Sequence, residues 1–142
     1  MEIAYLDTSA LVKRYHVEEY SDLVDEIFEK HSIAISELSI VEFVSTLRRK
    51  VDEKSIRKKE QSKILLKFHD DLADFVVLKF DSSVISKAVE FVLKYSLKTL
   101  DSLQLSFAMK LKKYNPLFVS FDRKLLDCAR SEGFRVLEFK HL

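Results

Sequence analysis

The stretch Ile3-Ala4-Tyr5-Leu6-Asp7-Thr8-Ser9-Ala10-Leu11-Val12 decides the fold. Its first four residues are apolar without alternation, the pattern of a short strand buried on both faces. Asp7 closes that run. Thr8 and Ser9, followed by Ala10-Leu11-Val12, open a helix. A buried strand that passes straight into a helix is the first half of a β-α-β unit, whose sheet is parallel and covered on both sides.

The alternation continues along the chain. A helix is expected over 19–30, with Leu23, Ile27 and Phe28 on one face, and Ile33-Ala34-Ile35 reads as a second strand. A helix over 37–51 carries Ile40, Phe43, Val44, Leu47 and Val51 as a stripe at helical spacing. A longer amphipathic helix over 55–73 precedes a third strand, Phe75-Val76-Val77-Leu78. Helices over 82–96 and 101–112 come before a fourth strand at 117–121. The helix over 123–131 is closed by Gly133, and Arg135 to Phe139 makes a fifth strand. The expectation is an α/β three-layer sandwich: a mainly parallel five-stranded sheet with helices on both faces, forming one domain over 1–142.

Composition excludes several classes. A chain of 142 residues that is 47% hydrophobic and 33% charged buries a core without staples. Cys128 is the single cysteine, which rules out an intrachain disulfide and a Cys-based zinc site. The histidines His16, His31, His69 and His141 lack metal-ligand spacing. Glu2 and Asp7 interrupt the first apolar run, so it is not a signal peptide, and no apolar stretch reaches membrane-spanning length. A soluble, cytoplasmic protein without a membrane partner is expected. The net charge of +1 hides an uneven distribution. Residues 48–67 carry nine basic and three acidic side chains, either a solvated helix face or a track for a phosphate backbone.

Ligands of parallel sheets bind beyond the carboxyl ends of the strands. Asp7 and Asp122 stand there, after the first and fourth strands, and Glu42 and Asp101 stand near helix starts that can border the same edge. Like charges about 5 Å apart cost about 3 kcal/mol per pair at an effective dielectric of about 20. Such a cluster persists by protonation or by binding a hard cation, for which Mg²⁺ or Mn²⁺ suits oxygen ligands. Each acid also has a local reading. Asp7 and Asp122 suit helix N-caps, and Ser39-x-x-Glu42 and Asp101-x-x-Gln104 match capping boxes. By helical projection Glu42 lies opposite the apolar stripe, beside Ser45 and Arg49, whereas Asp101 shares a face with Leu105 and Ala108.

These segments resemble the PIN-domain family, and within it the VapC-like ribonuclease toxins of type II toxin–antitoxin modules. Tyr5-Leu6-Asp7-Thr8-Ser9-Ala10-Leu11-Val12-Lys13 is similar to the family's first motif. Ser36 to Arg49, around Glu42, resembles the second, and Leu97 to Ala108, around Asp101, the third. Val119-Ser120-Phe121-Asp122-Arg123-Lys124-Leu125, followed by Gly133 to Leu137, resembles the closing block. Ser120 departs from the threonine common there but keeps a hydroxyl. A haloacid-dehalogenase-like phosphatase would need an acid where this chain has Ser9.

The resemblance implies strand order 3-2-1-4-5 and a Mg²⁺- or Mn²⁺-dependent endoribonuclease. Asp7, Glu42, Asp101 and the more variable Asp122 would be its metal-site and catalytic acids, with Thr8, Ser9 and Ser120 in support. Lys98, Arg123 and Lys124 flank the acids and are candidates for RNA phosphates. The implied partners are RNA, a cognate antitoxin and a second copy in a homodimer. Two further readings stand beside this one: a housekeeping RNA-processing nuclease, and a non-catalytic module that binds RNA or protein.

Overall fold

In the computed structural model, residues 1–139 are described, so His141 and the end of the expected 1–142 domain lie outside the described residues. Among the described residues five strands form one sheet in the order β3-β2-β1-β4-β5. They are β1 (Ile3–Leu6), β2 (Ser32–Ser36), β3 (Val76–Leu78), β4 (Leu117–Val119) and β5 (Arg135–Val136). Every pairing is parallel; Tyr5 lies opposite Ala34 on one side and Phe118 on the other. The expected fold class and strand order both hold.

Among the described residues seven helices cover the sheet: α1 (Thr8–Tyr15), α2 (Ser21–Lys30), α3 (Glu37–Asp52), α4 (Lys58–Asp71), α5 (Ser82–Tyr95), α6 (Thr99–Met109) and α7 (Arg123–Ser131). The pleat of β1 divides the core. Ala4 and Leu6 pack with Leu11, Val24, Phe43, Leu47 and Phe68, from α1 to α4. Tyr5 packs with Val84, Phe91, Leu105, Phe107 and Leu125, from α5 to α7. Strand order turns around between β1 and β4, and the open edge at such a point is where doubly wound sheets place ligands.

Several elements are shorter than expected. The strand expected over 117–121 stops at Val119, because Ser120 and Phe121 turn the chain into the Asp122 cap of α7. The strand expected to reach Phe139 ends at Val136. Two of the expected helices end early and give way to tighter turns: α4 passes into a 3₁₀ turn over Leu72–Asp74, and another follows α6 over Lys112–Tyr114. The stripe on α3 is also rotated. Ser39, Phe43 and Leu47 are its buried residues, while Val44 is 44% exposed. That rotation turns Glu42 and Thr46 from open solvent to a half-buried position.

Candidate metal and nucleic-acid site

Asp7 does two jobs at the end of β1. Its Oδ1 accepts hydrogen bonds from the Ala10 amide at 3.0 Å and the Ser9 hydroxyl at 2.7 Å, which caps α1. Its Oδ2 accepts from the Ser120 hydroxyl at 2.6 Å. The same two serines accept from the β4–α7 turn: Ser9 Oγ from the Phe121 amide and Ser120 Oγ from the Asp122 amide, each at 3.1 Å. Two hydroxyls therefore fix the turn carrying Asp122 against Asp7. Burial still dominates, and it pushes the Asp7 carboxyl up to about 6 despite those donors, with Asp101 adding like charge.

Glu42 is held from the other side. Its Oε1 accepts from the Thr8 hydroxyl and from the Gln104 amide nitrogen, both at 2.9 Å. Gln104 Nε2 also donates to Ser39 Oγ at 2.9 Å, and Gln104 Oε1 accepts from the Tyr5 hydroxyl at 2.5 Å. A buried amide thus joins β1, α3 and α6 beneath the carboxylates, with both its ends satisfied. Asp101 sits half-buried in the first turn of α6. Desolvation raises its carboxyl above the ordinary value, and the Asp122 and Glu42 charges raise it further.

Asp7, Glu42, Asp101 and Asp122 all line one cleft of about 360 Å³, together with Thr8, Ser9 and Gln104. The two N-cap readings hold at the same time: Asp122 Oδ1 accepts from the Leu125 amide at 2.9 Å, and Asp7 caps α1. The two capping boxes do not form. Ser36, not Ser39, caps α3, and α6 begins at Thr99 after Lys98. Glu42 and Gln104 are thereby released from helix ends to meet one another.

Lys98, Arg123 and Lys124 stand outside the cleft lining. Lys98 and Lys124 still lie close enough to lower the Asp101 carboxyl. Lys124 donates to Ser96 O at 2.9 Å, and Arg123 donates to Phe139 O at 2.8 Å. The cations that do line the cleft are Lys13, Arg49 and Lys50. From the basic segment, only Arg49 and Lys50 reach it; Arg48 and Lys67 pair along their helices with Asp52 and Asp71. Helical spacing held the signal for the missed residues: Lys13 stands four after Ser9, and Thr46 and Lys50 four and eight after Glu42.

The donor set suits a hard cation: every carboxylate is an oxygen ligand, and at Asp7 and Asp101 burial plus like charge works against ionisation unless positive charge is supplied. Among the described residues no three of these groups already converge as a ready ligand set. An ion that keeps several waters and takes one or two carboxylates needs no such set.

The PIN domain family model matches residues 4–131. Among curated proteins, none matches this chain. Solved structures resemble it over nearly its whole length. VapC20 of Mycobacterium tuberculosis, described as a sarcin-ricin loop cleaving toxin, is 13% identical with a TM-score of 0.69, covering 94% of this chain and 96% of its own. A toxin–antitoxin complex from Klebsiella pneumoniae is 15% identical with a TM-score of 0.67, over 95% and 96%. VapBC2 of Rickettsia felis, bound to a DNA fragment from its promoter, is 18% identical with a TM-score of 0.65, over 97% and 99%.

Proposed function

Because this chain belongs to the PIN domain family, we propose that it is a Mg²⁺- or Mn²⁺-dependent endoribonuclease, the toxin of a toxin–antitoxin pair. One observation carries the reading: carboxylates from four separate segments line a single cleft where the strand order turns around. A pure binding module has no reason to gather repelling charge there.

Asp7, Glu42, Asp101 and Asp122 would hold the cation, one or two of them directly and the others through its waters. When bound, it supplies positive charge at the scissile phosphate and lowers the pKa of a water able to attack phosphorus. The chain's own groups do the rest. Ser9 and Ser120 keep the Asp7 carboxylate from swinging, and Thr8 and Gln104 do the same for Glu42. One of these carboxylates would take up the proton that the attacking water loses.

The proposed partners are an RNA strand, a cognate antitoxin and a second copy of the chain, in the cytoplasm. The similarity to the Klebsiella toxin–antitoxin complex and to the Rickettsia VapBC2 assembly supports the antitoxin. Among the described residues no helix is long and apolar enough to cross a membrane.

The test incubates the full chain with total cellular RNA and Mn²⁺, beside Asp101→Asn and beside EDTA. Discrete cleavage abolished in both controls supports the reading; cleavage equal in the variant overturns it. Growth arrest on expression supports the toxin role. Normal growth with cleavage confined to a processing intermediate would make it a housekeeping nuclease.

A further inference from the structure

Three residues on the cleft wall have no part in the acid set. Lys13 Nζ lies 3.2 Å from Glu18 Oε1, and Lys50 Nζ lies 3.6 Å from Glu18 Oε2. The lysine side chains are only 13% and 18% exposed, where lysine is among the residues least often buried. Lys13 comes from α1, Lys50 from the last turn of α3 and Glu18 from the α1–α2 connection, yet all three line the cleft that holds Asp7 and Glu42.

This arrangement is built from below. The buried Ser21 hydroxyl accepts from the Glu18 amide at 2.9 Å and donates to Lys13 O at 2.8 Å. One side chain thus sets the backbone beneath both partners. From the other side, the Lys13 ammonium rests 4.8 Å from the centroid of Phe121, the residue before Asp122. The two ammonium groups are therefore held in place within the folded cleft, and a group bound there spends little on ordering them.

Charge shows what they are held for. Five carboxylates and three cations line the cleft, a formal charge of −2 that one divalent cation would balance. An RNA phosphate arriving next to the acids needs positive charge of its own. Glu18 already shows the geometry, since its two oxygens each meet one ammonium, as two oxygens of a phosphodiester could. We infer that Lys13 and Lys50 form a subsite for a phosphate flanking the scissile one, that Glu18 fills it in the free protein, and that an RNA strand displaces Glu18 on binding. The inference rests on the nuclease reading and adds where the strand is held. It predicts positioning through the backbone rather than through base identity.

The test measures binding of a short fluorescein-labelled single-stranded RNA of mixed sequence to the full chain by anisotropy, in EDTA, across a salt series. The double variant Lys13→Met/Lys50→Met weakens binding about tenfold and lowers the salt slope by about 0.7, as for one lost phosphate contact on a single strand. Arginine at both positions restores binding. Glu18→Gln removes the internal competitor and tightens binding several-fold. A merely structural role predicts the opposite sign for Glu18→Gln, because loosening the turn would weaken binding as the lysine variants do. That result, or unchanged binding in the double variant, overturns the inference. Should the double variant fail to fold, the sign of the Glu18→Gln effect decides. The nuclease reading fails separately: no cleavage by the wild type, with the binding pattern intact, removes the enzyme and leaves the subsite. Cleavage by the wild type with binding unmoved in every variant removes the subsite and leaves the enzyme.

Discussion

Two concavities of similar size lie on either side of helix α6. One, of about 360 Å³, is lined by five carboxylates and three cations. The other, of about 320 Å³, is lined by Ile85, Ala88, Val89, Val92, Leu93 and Leu103, with Thr99 and Ser102 at its α6 side. Adjacent residues of α6 divide between them: Asp101 and Gln104 face the cleft, Ser102 and Leu103 the groove. Volume therefore says little about chemistry. Only the first concavity combines shape with ionisable groups whose protonation is disturbed, as a reactive site requires.

The sharpest way to break the contrast is to neutralise its deepest charge. Asp7→Asn keeps the shape and the cap of α1. It should still reduce RNA cleavage by about 10²–10³-fold, the scale for removing one electrostatic stabiliser of a transition state. Gel quantification of cleavage in Mn²⁺ against wild type checks this, and a variant within a factor of a few of wild type would remove Asp7 from the site.

Gln104 sharpens the comparison by testing the layer below the carboxylates. Gln104→Leu keeps the bulk but leaves the Tyr5 hydroxyl and Glu42 Oε1 short of a partner. The expected result is a 10–100-fold weaker metal affinity, about the cost of losing an outer partner of a ligand. Stability should fall by about 1–3 kcal/mol, read by urea unfolding.

Asp7 also gives the cleft a pH signature that the groove lacks. Its carboxyl is raised from 3.8 to about 6 in the folded chain, so protonation favours folding. The stabilisation is complete below the unfolded value of 3.8 and is lost as pH rises through about 6. The size is about 3 kcal/mol across that window, from the shift itself. The difference in unfolding free energy between Asp7→Asn and wild type should therefore grow in favour of the variant from pH 4 to pH 7.5 in metal-free buffer. A pH-independent difference would contradict the burial argument. In the groove, Leu93→Lys at an 81% exposed position should shift stability by less than about 0.5 kcal/mol and leave cleavage unchanged.

The sequence carried the sheet well because buried parallel strands are short apolar runs, and Ile3–Leu6 and Leu117–Val119 contain little else. It carried Asp7 and Asp122 because strand ends fix their place on one edge. It carried Glu42 less well. Projection from the stripe Ile40/Val44/Leu47 turned Glu42 to solvent, whereas tertiary packing chose Ser39, Phe43 and Leu47 as the buried side. Gln104 showed only as a capping-box partner of Asp101, since nothing local reveals that an amide on α6 will meet a tyrosine hydroxyl from β1. Spacing could put Lys13 and Lys50 on the faces of Ser9 and Glu42, but their meeting through Glu18 was hidden for the same reason: one cation precedes Glu18 by five residues, and the other follows it by thirty-two. Helical spacing reports faces; it does not report which faces meet.

A nuclease working through this cleft requires that its carboxylates take up a divalent cation. Isothermal titration of Mn²⁺ into the metal-free chain at pH 7.5, beside Asp101→Asn, tests it most directly. Saturable binding that is lost or greatly weakened in the variant is the predicted result. No binding by the wild type, or equal binding by both proteins, would contradict it.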